Sequence, residues 1–201
     1  MDTLSAFTTL FVTVDPVGLA PIFGTLTAGL AFRERTVIAL EASLLAWLIL
    51  IGSAAFGTGL LALLGIGIPA FRIAGGLLLF VIAFEMIFEY RQDRKEALGR
   101  QALSSLAAFP LAIPLMAGPG AIAATLLLAA EAEGDIPAQA ALLGVITATI
   151  LLTLTSFLLY SRIEQHMGPR WQIVFSRLLG VLLAALAVQY VIDGVMSVLG
   201  A

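Results

Sequence analysis

Six runs of mainly apolar residues divide this chain, and each is longer than the about 20 residues that cross a lipid bilayer as a helix. Hydrophobic residues make up 61% of the 201 and charged residues only 11%, against about 25% charged in soluble proteins. We therefore expect an all-α membrane protein with one transmembrane domain over 1–201. Its six predicted transmembrane helices are Leu4–Leu30, Val37–Leu61, Ile68–Tyr90, Leu103–Ala130, Ala138–Tyr160 and Trp171–Leu199.

The basic residues predict the topology, because Lys and Arg concentrate in the cytoplasmic loops of membrane proteins. All of the ten except Arg72 lie in or beside the connections that follow the first, third and fifth helices, including the loop 91–102. We expect these connections to be cytoplasmic, and both termini to face the periplasm or the exterior. The apolar run at the amino terminus is too long, and lacks the basic start, for a cleaved signal peptide.

The six helices also divide into two similar halves, 1–92 and 103–201. Helix three carries Arg72-Ile-Ala-Gly75 and helix six carries Arg177-Leu-Leu-Gly180, and the first helix of each half holds a proline-glycine interruption. Since each half has three spans, the second would be inverted relative to the first, as in many secondary transporters. The alternative is chance similarity between helices rich in Gly and Leu.

The stretch VTVDPVGLAPIF, 12–23, predicts a break in helix one. Asp15 lies about 17 Å into this helix, near the middle of a hydrocarbon layer about 30 Å thick. Proline suits the first position of a helix and aspartate the position before it, so Asp15 and Pro16 read as the cap and start of a new half-helix. Gly18 would allow close approach of backbone or ligand, and Pro21 would leave the Val17 carbonyl without its helical donor.

Helix four repeats this pattern at Gly118, Pro119 and Gly120. The two half-helices would then begin close together near the membrane midplane, and each beginning offers unpaired N–H groups and about half a positive charge. Irregular backbone at this depth is tolerated only where protein or a water-filled cavity covers it. These residues therefore predict helices one and four broken at mid-membrane around a central polar cavity.

The two caps differ in charge, which suggests the ligand. Asp15 adds negative charge to one helix end, whereas Gly118 leaves the other end positive. We expect a small zwitterion, with its carboxylate on the N–H groups around Gly118–Gly120 and its ammonium, or a coupling H⁺ or Na⁺, near Asp15. The alternative is a pair of ordinary proline kinks in which Asp15 is bonded to a buried donor.

Other polar residues of the spans have two interpretations each. Glu41 and Glu85 would lie near the cytoplasmic surface, where each could relay protons, line a gate, or simply be hydrated. Arg72 and Arg177 are expected to anchor opposite membrane faces by reaching toward water. Five threonines flank the breaks, where their hydroxyls could bind substrate or satisfy freed carbonyls: Thr8, Thr9, Thr13, Thr25 and Thr125.

Three stretches together resemble the MarC family of six-span bacterial membrane proteins, which includes the SnatA neutral amino-acid transporters. They are DPVGLAPIF in helix one, FRIAGGLLLF (71–80) in helix three and FPLAIPLMAGPGA (109–121) in helix four, and the likeness extends over essentially the whole chain. The resemblance implies a bacterial inner-membrane protein that moves small neutral amino acids such as glycine or alanine. The broader grouping also contains exporters, so export or another small polar solute stays open.

Other classes fit the residues less well. An intramembrane protease needs paired aspartates or a Ser-His pair, but Asp15 is the only mid-span aspartate and His166 lies in a predicted cytoplasmic loop. We expect no enzyme activity, no cofactor, no metal site and no nucleic-acid partner. A channel stays open, because broken helices also build selectivity filters. The expected partners are membrane lipid and the substrate, and a homo-oligomer is left open.

Overall fold

The computed structural model describes residues 2–27, 29–88, 107–163 and 169–199, and every regular element within these ranges is a helix. The predicted loop 91–102 and His166 lie outside them. The elements are α1 (Thr3–Val14), α2 (Pro16–Leu26), α3 (Phe32–Leu63), α4 (Ile68–Ile87), a π-helix (Ala107–Met116), α5 (Pro119–Glu131), α6 (Ile136–Ile163) and α7 (Pro169–Leu199).

Five helical segments of the described chain are long and apolar enough to cross a membrane: Thr3–Gly24, Phe32–Leu63, Ile68–Ile87, Ile136–Arg162 and Arg177–Leu199. The fourth predicted run is divided into the π-helix and α5, and α5 alone is a shorter apolar helix. The fold is therefore that of an all-helical membrane protein. A sixth crossing, made by the π-helix and α5 together, stays a prediction.

The second membrane helix starts earlier than its hydropathy predicts. We expected it to begin at Val37, but α3 begins at Phe32, because the Glu34 carboxylate accepts a hydrogen bond of 2.9 Å from the Ala31 N–H. This bond satisfies one of the N–H groups that every helix start leaves unpaired. A charged first turn therefore extends α3 beyond its apolar run.

The most extensive helix–helix contact is between α4 and α7, which approach each other at glycines. A Cβ built at Gly76 would lie 2.8 Å from the Ala187 carbonyl oxygen, and one at Gly180 would lie 3.1 Å from the Ala83 carbonyl oxygen. Small residues allow this approach of backbones, which is how helices gain contact when lipid already satisfies their apolar faces. The two helices are antiparallel, since the earlier glycine faces the later part of α7.

Two contacts fix which helix ends lie together. The backbone at Gly194 approaches the Pro69 carbonyl oxygen, and Arg72 Nη2 lies 3.9 Å from Glu131 Oε1. The start of α4 and the ends of α5 and α7 therefore share one end of the bundle, which we call the terminal end. The opposite end, where α4 finishes, is called the loop end.

The interrupted segments lie at the centre of the bundle. In an 18-residue window of Thr3–Gly24, 72% of residues are buried, against 28% to 39% in the corresponding windows of the other four candidate spans. Most of α5 is buried as well. The π-helix and α5 pack against α3, while α1 and α2 pack against α6. Most of the irregular backbone is therefore enclosed by protein, as a lipid environment requires.

Candidate functional site

Asp15 joins α1 to α2 and belongs to the capping structure of both. Its N–H donates to the Phe11 carbonyl at 2.9 Å, and its own carbonyl accepts from the Leu19 N–H at 3.0 Å. Its Oδ1 accepts from the Gly18 N–H at 2.9 Å. With φ 59° and ψ 64°, it is the one non-glycine residue of the described ranges in the left-handed region. A β-carbon makes that conformation costly, and aspartate is among the residues that tolerate it best.

Gly18 makes room for this carboxylate. A Cβ built at Gly18 would overlap the Asp15 carboxylate group, so a side chain there would displace it. Asp15 is only 2% exposed, and Pro16 beside it is buried. The carboxylate is therefore held inside the protein by the first turn of the helix that it caps.

The second break lies between the π-helix and α5. The Ala117 N–H donates to the Ala112 carbonyl at 2.9 Å, and Gly118 then turns to extended backbone (φ −76°, ψ 171°) before Pro119 starts α5. No side chain caps this helix start. Gly118 is half-buried, Pro119 is exposed and Gly120 is buried. The first N–H groups of α5 are thus without helical partners, as at any helix start, and carry its positive end.

The two breaks lie side by side. A Cβ built at Gly120 would lie 3.3 Å from Thr13 Cγ2, and it would overlap the terminal methyl of Ile82 on α4. Thr13 belongs to the last turn of α1, two residues before Asp15. A negatively charged cap and an uncapped positive helix start are therefore neighbours in the protein core. This arrangement brings a carboxylate and the positive end of a helix to neighbouring positions.

The remaining predicted site residues lie further from the junction. Pro21 is half-buried inside α2, where it has no N–H to offer the Val17 carbonyl. Glu85 is half-buried on the last turn of α4, one turn beyond Ile82. Glu41 is exposed on α3. Glu85 therefore lies on the helix that contributes Ile82 to the second break.

The threonines near the breaks bond within their own helices. Each hydroxyl donates to the carbonyl four residues earlier, at 2.6 to 2.9 Å, for Thr8, Thr9, Thr13 and Thr125. The Thr25 side chain lies outside the described residues. The Thr oxygens keep acceptor capacity after these bonds, since a hydroxyl has two lone pairs.

Sequence reasoning missed a polar group at the terminal end. Tyr190 of α7 is 7% exposed and lies beside the Thr9 side chain. Glu131, also not singled out, pairs with Arg72, which therefore does more than reach toward water. The available signal was the spacing of Tyr190, which places it on the same face of α7 as Ala187 and Leu183. Both of these residues are buried.

A separate cavity of about 310 Å³ lies beside α3, α5 and α6 toward the terminal end. It is lined by Ala54, Ala55, Thr58, Ala129, Glu133, Gln139, Leu142 and Leu143. None of these residues belongs to either break, so this space is distinct from the cavity predicted there.

Comparison with known proteins shows which protein family this chain is related to. The model of the MarC family integral membrane proteins matches residues 2–199. The UPF0056 membrane protein MJ1677 of Methanocaldococcus jannaschii is 34% identical over 96% of this chain and 96% of its own length. YvbG of Bacillus subtilis is 35% identical over 90% and 88%, and YhcE of Escherichia coli 33% over 96% and 91%. No solved structure matches the chain. By the extent of both matches, this integral membrane protein belongs to the MarC family.

Proposed function

We propose that this protein is a secondary transporter of small neutral amino acids, with its substrate site at the junction of the two interrupted helices. The observation that carries the proposal is the contact between Gly120 and Thr13, which places the uncapped start of α5 beside the Asp15 cap. A zwitterion would place its carboxylate on the free N–H groups of α5 and its ammonium toward Asp15.

The space at the junction favours a small substrate. The position of a Gly18 side chain is filled by the Asp15 carboxylate, and that of a Gly120 side chain by Ile82. A ligand with one carbon or none beyond its α-carbon, such as glycine or alanine, therefore suits this site better than a bulky one. Contacts with a helix start contribute about 0.3 to 2 kcal/mol each, so we expect weak binding that allows release.

The packing supports inverted repeats. Gly76 faces Ala187 and Gly180 faces Ala83, and the two glycines are as far apart in sequence as the two alanines. Superposition of one half of the chain on the other would therefore place the Gly76–Ala187 contact on the Gly180–Ala83 contact. In this superposition Gly76, rather than Gly75, is equivalent to Gly180. The pairing of α3 with the π-helix and α5 also corresponds to that of α6 with α1 and α2. Such symmetry suits alternating access, in which one set of helices moves against the other around a fixed site.

The resemblance to the MarC family leads us to place this carrier in the bacterial inner membrane. The distribution of Lys and Arg favours a terminal end that faces the periplasm or exterior. In this orientation α2 runs from the site toward the cytoplasm. Coupling would use H⁺ or Na⁺, with Asp15 as the charged group at the site. Glu85, one turn from Ile82, is the second candidate in a proton path.

Uptake of labelled glycine and alanine into proteoliposomes tests the proposal. We expect saturable accumulation against the concentration gradient when a proton or sodium gradient is imposed, and none in liposomes with the Asp15→Asn protein. Equilibration without accumulation would indicate a channel. Transport only outward would indicate an exporter. Absence of any glycine or alanine movement would refute the proposed substrate.

A further inference from the structure

Contacts at the terminal end join the central interrupted helices to the outer α4–α7 pair. The Tyr190 side chain of α7 lies beside Thr9 of α1. Arg72 of α4 lies 3.9 Å, Nη2 to Oε1, from Glu131 at the end of α5. Each contact therefore connects one helix of the glycine-packed α4–α7 pair with one helix of the candidate site.

These contacts lie between the site and the terminal end. Thr9 precedes Asp15 by six residues on α1, which is about 9 Å toward that end. Tyr190 is nearly buried at this level, whereas the Arg72 and Glu131 side chains are 22% and 31% exposed. A molecule that entered from the terminal end would thus reach the ion pair first and the tyrosine second.

The loop end is closed by different chemistry. Phe23 of α2 and Phe157 of α6 are fully buried and stack with ring centroids 4.5 Å apart and planes 4° from parallel. Phe23 lies eight residues beyond Asp15, about 12 Å toward the loop end. Apolar stacking therefore closes this side, and polar contacts that can be remade with water close the other.

The Arg72–Glu131 pair has the character of a contact that can separate. Its distance of 3.9 Å exceeds that of a good charge-assisted hydrogen bond. Among the described residues, the buried Arg72 Nε has no hydrogen-bond partner, which is unfavourable in the present arrangement. Partly exposed ion pairs contribute little to stability, so separation of this pair costs little.

We propose that Arg72, Glu131 and Tyr190 form a gate, which is closed in this structure and which opens the site to the terminal end when the α4–α7 pair moves away from α1 and α5. The inference rests on the proposed carrier function for its purpose, since a carrier must open its site to one side at a time. Its residues, however, are outside the substrate site.

The experiment measures access to the site with a membrane-impermeant maleimide on purified protein in nanodiscs. The chain has no cysteine, so Thr13→Cys, at the junction, is the only reactive thiol. We expect Arg72→Glu and Glu131→Arg, which replace an attraction by a repulsion, and Tyr190→Phe, which removes the hydroxyl, each to raise its labelling rate about fivefold. The double reversal, Arg72→Glu with Glu131→Arg, should restore the slow rate.

Arg33→Glu is the matched control, because it makes the same charge change at an exposed position of the loop end. It should leave the labelling rate unchanged. If Thr13→Cys does not fold, Ala121→Cys, 3% exposed in the first turn of α5, is the second reporter.

Unchanged labelling of both reporters in all three single variants would overturn the gate, and so would acceleration by Arg33→Glu to the same extent. The labelling assay contains no substrate. Failure of glycine and alanine uptake with an intact labelling response would therefore refute the proposed substrate and leave the gate standing.

Discussion

Two replacements of Asp15 test the charge of the junction and its backbone geometry separately. Asparagine keeps an oxygen that accepts the Gly18 N–H and tolerates the left-handed backbone at φ 59°. We expect Asp15→Asn to lower the free energy of unfolding by less than about 1 kcal/mol, because a neutral oxygen accepts a weaker hydrogen bond than a carboxylate. Alanine loses the cap, about 1 kcal/mol, and pays about 1 to 2 kcal/mol for a β-carbon in this conformation. Asp15→Ala should therefore be about 2 to 3 kcal/mol less stable.

The assay combines equilibrium unfolding of the purified variants in mixed detergent with uptake into proteoliposomes. Asp15→Asn should unfold close to the wild-type protein, and it should transport nothing, because the carboxylate charge at the junction is gone. Asp15→Gly, which keeps the backbone conformation but loses the cap, should be intermediate in stability. Wild-type uptake by Asp15→Asn, or wild-type stability of Asp15→Ala, would refute the reasoning.

Three further predictions concern the glycines and Glu85. Gly18→Ala should displace the Asp15 carboxylate and lower stability by about 1 kcal/mol in the same unfolding assay. Gly76→Ala should lower the free energy of unfolding by about 1 to 3 kcal/mol, because its Cβ would press on a backbone carbonyl. Gly52→Ala, with open space around it, is the control and should not destabilise the protein. Equal effects of the two substitutions would contradict the packing argument. Glu85→Gln should slow proton-driven uptake, and unchanged proton dependence would remove it from the proton path.

Local chemistry made the helix boundaries at the candidate site predictable. Asp15-Pro16 and Gly118-Pro119 combine a favoured cap with a favoured first residue, and neither needs a distant partner to act. In the structure α2 begins at Pro16 and α5 at Pro119. The start of the second membrane helix was wrong by about a turn, because the cap formed by Glu34 is polar and hydropathy alone does not register it.

Contacts between distant parts of the chain could not be predicted in this way. The approach of Gly120 to Thr13, and of Gly76 to Ala187, depends on how whole helices pack. The pairing of Arg72 with Glu131 has the same origin. The π-helix before Gly118 was also not predicted, since its wider hydrogen-bond spacing leaves no clear trace in an apolar run.

The central idea is that two interrupted helices bring opposite charges together to hold a zwitterion. An experimental structure of the protein with bound alanine tests it most directly. We expect the alanine carboxylate within hydrogen-bond distance of the Gly120 or Ala121 N–H and the ammonium on the Asp15 side of the junction. Alanine bound elsewhere, or continuous helices through Asp15 and Gly118, would contradict it.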